Sequence, residues 1–153
     1  MRTILFIIAS ILWAETSCNT NDNNEYMNFK VRIINYYFGR EEAIIVLTPD
    51  SVSSEWGYTR GEIKSYKREL EKDEKKKVNT FMSKFELSDL KEQYINEAVE
   101  DGINLKFEIR INSLEKTIIV SNMYVETLGK LVELLNTLVP EDQIGYTKNA
   151  FRE

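Results

Sequence analysis

The chain has 153 residues, 42% apolar and 29% charged, with a net charge of −5; this fits one domain with enough apolar side chains for a core. The acidic balance lacks the basic footprint of broad nucleic-acid binding, and having no histidine removes the commonest general base near neutral pH and the commonest zinc ligand. One cysteine makes neither an internal disulfide nor a zinc site, so no cofactor is implied and any catalysis falls to carboxylates, Lys, Tyr or Ser.

Arg2 precedes an almost wholly apolar run, Ile4 to Ala14, which gives way to the polar stretch "NTNDNNE". Charge, apolar run and polar tether is the layout of a secretory signal, and the run is too short to cross a bilayer as a helix. Cys18 sits just past it, after Thr16 and Ser17. The segment resembles a bacterial lipobox, in which the cysteine is acylated and becomes the first residue of the mature chain. Glu15, three before the cysteine, departs from the apolar residue usual there. The resemblance implies a signal peptide over residues 1–17 and a lipidated Cys18 on a flexible tether to residue 28. The chain would then be exported and anchored to a bacterial membrane, facing the periplasm or the cell surface. Several acyl chains, at about 0.8 kcal/mol per buried methylene, would hold it firmly. Secretion without lipid, or a buried N-terminal helix or strand, are the other two readings.

"FKVRIINYYF" (Phe29 to Phe38) is β-branched and aromatic, and after Gly39 and Arg40 comes "EAIIVLT" (Glu42 to Thr48); the short gap predicts a β-hairpin. Apolar residues on both faces make it a central pair or one covered by a helix. Pro49 and Asp50 suit a turn, and Val52 to Tyr58 is read as a third strand. Glu62 to Lys77 has helical composition but a thin stripe of Ile63, Tyr66 and Leu70. It is either a solvated helix or an exposed hairpin arm. Phe81, Phe85 and Leu87 share one face of a further strand. Ser88 caps an expected helix with Leu90, Tyr94, Ile95, Ala98 and Val99 as its apolar positions, ended by Asp101-Gly102. "INLKFEIRI" (Ile103 to Ile111) alternates strictly, with one buried and one wet face, and "KTIIVSN" (Lys116 to Asn122) returns after "NSLE". Asn122 is the expected N-cap of a last helix carrying Val125, Leu128, Leu131, Val132, Leu135, Leu138 and Val139, stopped by Pro140. The short connections predict an α+β domain over residues 29–140: an antiparallel sheet of about five to six strands with two helices packed on one face. Residues 141–153 read as a C-terminal tail.

Within residues 80–139 the helix ending in Asp-Gly, the alternating strand, its return and "SNMYVETLGKLVELLNTLV" are similar to small exported proteins of unknown function of the Bacteroidota type. The resemblance uses no catalytic motif and implies fold and export, not an activity.

Tyr36, Tyr37, Phe38, Trp56, Tyr58 and Tyr66 crowd the first half. Exposed rings can stack on sugars or anchor a protein partner, though core and cross-strand packing is their commoner use. Trp56 and Tyr58, with Tyr37, are the expected ligand-binding residues. In Glu62 to Lys77 the lysines are interleaved with Glu62, Glu69, Glu71, Asp73 and Glu74, which reads as a solvated face. Asp50 and Glu55 lie near Trp56, as acid pairs do in glycosidases, but five loop residues fix no geometry. No metal site, P-loop, Rossmann pattern or nucleophile elbow is present. The expected function is therefore a non-enzymatic binding module of the cell envelope, on a membrane through its N-terminal lipid, with a protein or glycan partner and no nucleic acid. The alternatives are a periplasmic inhibitor or immunity protein and, behind it, a carboxylate-dependent hydrolase.

Overall fold

The computed structural model describes residues 27–57, 61–99, 102–140 and 144–151. Among the described residues seven strands form one sheet: β1 (Phe29–Tyr37), β2 (Arg40–Leu47), β3 (Ser51–Trp56), β4 (Lys64–Glu69), β5 (Gln93–Ile95), β6 (Asn104–Ile111) and β7 (Leu114–Ser121), with helices α1 (Lys72–Met82) and α2 (Glu126–Asn136). The order across the sheet is β4-β3-β2-β1-β6-β7-β5. Every neighbouring pair is antiparallel except β5 with β7, which is parallel. The architecture is α+β, as the short connections predicted, but the sheet is mixed and wider than five or six strands.

Strand alternation sorts the side chains. Ile33 stands opposite Ile45 on β2 and Phe107 on β6, and Phe107 stands opposite Ile118 on β7. All four are buried, and they form one core cluster with Val78 and Met82 of α1 and Leu128, Leu131, Val132 and Leu135 of α2. Each such side chain contributes about 1.5–3 kcal/mol relative to leaving it exposed. β1, the double-sided strand, is the middle strand of the seven. The other face of the sheet carries Arg32, Lys106 and Glu108 at its centre.

Several expectations fail for local reasons. Glu62 to Lys77 is neither all helix nor all arm: its first half is edge strand β4, and its second half begins α1. The apolar stripe looked thin because the helix's buried residues, Val78 and Met82, lie beyond Lys77. Phe81 belongs to α1, and Phe85 and Leu87 follow it in a turn and a 3-10 helix (Leu87–Asp89), so no strand joins them. Ser88 caps no helix. Its hydroxyl meets Asp89 Oδ1 at 3.1 Å, and the expected helical stretch is the short β5, where Lys91 N–H donates to the Tyr94 hydroxyl at 2.9 Å. The helix that entered the resemblance above is thus missing from the described residues.

Asn122 is not the N-cap of α2. It sits at φ +54° and donates from Nδ2 to Val99 O at 2.8 Å, while Val125 takes the cap position. The segment after Pro140 is no loose tail, since Ile144 and Tyr146 are buried in the core. The β3–β4 connection leaves β3 at Gly57, at φ +91°, where an added Cβ would meet Glu62 O at 2.3 Å. Only glycine tolerates that conformation and that approach together.

Candidate interaction surface

The strands give the sheet two distinct ends. At one, the base, lie Phe29, the β2–β3 turn and the β6–β7 turn; at the other lie the β1–β2 turn, the end of β3, the start of β4, the start of β6 and the ends of β5 and β7. Of the exposed large apolar residues among those described, Tyr37, Phe38, Ile63, Ile95, Val99 and Met123 all sit at that second end. Leu114, at the base, and Ile119, on the outer sheet face, are the others. The apolar residues follow the sheet edge as a rim whose width, at about 4.8 Å per strand, approaches 30 Å.

The centre of the rim is the β1–β2 turn. The register slips between Asn35 and Tyr36, leaving Glu42 as an extra residue on β2 before Tyr37 pairs with Arg40. Such a bulge adds local twist. Phe38 and Gly39 then turn the chain with φ +47° and +72°, the positive pair of a two-residue hairpin turn that favours Asn-Gly. Phenylalanine is an unfavourable choice there, since its Cβ crowds the backbone. It is nevertheless 80% exposed and meets Tyr37, 58% exposed, edge to face with ring centroids 4.5 Å apart. A strained backbone that holds an aromatic ring in water is a reason to look for a use.

The expected site residues separate. Tyr37 is on the rim. Trp56 is half-buried and packs against the core, with its indole Nε1 buried and unpartnered among the described residues. Tyr58 and Cys18 lie outside the described residues. Asp50 stands just before β3 at the base and is paired with Lys75 Nζ at 2.8 Å. Glu55 is near the far end of the same extended strand, so about 16 Å of backbone separates the two, against about 5–9.5 Å in a glycosidase pair. Phe38, which sequence reading passed over for its neighbours, is the residue the fold makes most prominent. Its signal was an aromatic in the place of Asn before a turn glycine.

The outer face holds the clearest charge cluster. Glu108 accepts from Arg32 Nη1 at 2.9 Å and pairs with Lys106 Nζ at 2.6 Å. The Lys106 and Arg32 bonds hold the carboxyl below its ordinary range, and Glu108 in turn raises both cations. Among the described residues no helix is long and apolar enough to cross a membrane, and no group of three His, Cys, Asp or Glu converges as for a metal. No family model matches the chain, and no curated protein matches it.

Proposed function

We propose that the chain is a membrane-anchored lipoprotein of the cell envelope that works as a non-enzymatic interaction module, with the rim around Tyr37 and Phe38 as its partner-binding surface. The observation that carries the reading is Phe38, an exposed aromatic kept in a left-handed turn conformation. β1 supplies the geometry. The chain enters the sheet at Phe29 and reaches the rim at Tyr37, the last of the nine residues of β1, about 26 Å away along the strand. A lipid at Cys18 would feed its tether into the base and leave the rim facing away from the bilayer.

The anchor and the rim are tested separately. Metabolic labelling with an alkyne fatty acid is expected to mark the wild-type chain and not Cys18→Ala, and equal labelling of both removes the anchor. Phe38→Asn restores the favoured turn pair, so it is expected to raise stability by about 1 kcal/mol. The same change, read as capture of partners from envelope extract, is expected to cost about tenfold in affinity. Undiminished capture removes the rim from the proposal. A protruding aromatic tip also suits the cleft of an enzyme, which favours inhibition as the second reading. One stoichiometric enzyme partner selects it, and retention on peptidoglycan or another envelope glycan selects simple adhesion.

A further inference from the structure

On the outer face, at the base, Lys30 of β1 stands directly opposite Arg110 of β6. Cβ atoms of facing residues lie about 4.5–5.5 Å apart, and like charges so placed destabilise a sheet. Neither cation has a carboxylate in ion-pair range among the described residues. On the same face Glu108 is already shared by Arg32 and Lys106. Glu115 faces Arg110 from β7 without pairing with it. Lys30, Arg32, Arg110, Glu108 and Glu115 line one shallow depression of about 160 Å³, more than a water needs and enough for a small oxyanion.

We infer that this depression is an oxyanion site, in which a phosphate group sits between Lys30 and Arg110 with further donors from Arg32. An entering phosphate turns an unfavourable like-charge pair into two charge-assisted contacts, and arginine suits its planar, two-oxygen recognition. Arg32 keeps donors beyond the one it gives Glu108. Glu115 opposes the anion and sets a limit on affinity. The site adjoins Phe29, where the chain enters the sheet, so the phosphate can belong to a lipid headgroup or be a free ion. The inference stands whether or not Cys18 carries lipid.

The test uses the full chain, isotope-labelled, in two arms. Titration with inorganic phosphate is expected to move the amide signals of residues 30, 32 and 110 together. Lys30→Gln with Arg110→Gln is expected to weaken that binding about tenfold or more, as loss of charged hydrogen bonds does. Glu115→Gln is expected to tighten it, and Lys67→Gln, on strand β4, to leave it unchanged. The second arm compares binding to phosphatidylcholine vesicles with and without phosphatidylglycerol. A gap between wild type and the double variant on the anionic vesicles assigns a headgroup phosphate, and a gap with inorganic phosphate alone assigns a free ion. The double variant is expected to melt close to wild type, because it removes the Lys30–Arg110 repulsion together with the cross-strand attraction of Arg110 for Glu115. No gap in either arm, or an equal loss in Lys67→Gln, overturns the site.

Discussion

Tyr146→Ala is expected to remove about 4 kcal/mol of stability and to lower the melting temperature by roughly 10–20 °C. The ring is almost wholly buried, with its centroid 6.2 Å from Phe107, 5.3 Å from Tyr124 and 5.5 Å from Phe151. Its deletion leaves a cavity under the sheet and strands Phe151. The hydroxyl has its own work. It accepts from Val125 N–H at 2.7 Å and donates to Met123 O at 3.0 Å. Val125 is the N-cap of α2 and has no side-chain cap of its own, so a tyrosine from another segment satisfies this end of the helix. Tyr146→Phe separates the two parts, and thermal denaturation should show about 1–3 kcal/mol lost for the hydroxyl alone. Burial pushes the phenol up to about 12. The folded form therefore holds the proton more tightly than the unfolded chain, whose tyrosine titrates near 10. This stabilisation is complete below pH 10 and is lost as pH rises toward 12, by about 2 kcal/mol. The wild-type minus Tyr146→Phe difference should shrink over that window, and a constant difference would show that the hydroxyl does not titrate as described.

Arg68→Met is expected to cost about 2–3 kcal/mol, a large effect for a partly exposed side chain. From β4 the guanidinium grips Glu74 of α1 with both nitrogens, at 2.5 and 2.7 Å, and also donates to Leu138 O at 3.0 Å beyond α2. One planar group thus ties the edge strand to α1 and to the segment that follows α2. Glu74 is not idle without it, because it also accepts from Glu71 N–H at 2.9 Å across the first turn of α1. The Arg68 bond, aided by that backbone donor, holds the Glu74 carboxyl below its ordinary range. A depressed carboxyl contributes stability above its unfolded value that is lost as pH falls through the folded one. Denaturant titrations from pH 7 down into the acid range should therefore show a smaller acid loss in Arg68→Met than in wild type. Parallel pH curves for the two proteins would place the stabilisation elsewhere.

The strict alternation of Ile103 to Ile111 and the leucine spacing from Leu128 to Leu135 were legible because their partners only needed an apolar side on a fixed period. Leu90, Tyr94 and Ile95 matched a helical period by coincidence. They serve a 3-10 turn and a three-residue parallel strand, and neither is long enough to repeat a signal. Tyr146 gave no hint, since its partners come from β6, from the approach to α2 and from the chain end. The same holds for Lys30 and Arg110, eighty residues apart in sequence and made neighbours only by the β1–β6 register. Tyr37 and Phe38 stood out by type. What set Phe38 apart, a positive φ under a bare ring, is a property of the turn and not of the residues around it.

β1 has a mechanical consequence. It runs without a break from the base to the turn that carries Phe38, already stretched to strand length. A tug between whatever grips that turn and the chain leading into Phe29 would be borne by covalent bonds in line. No ladder would have to unzip and no helix uncoil for the load to pass through.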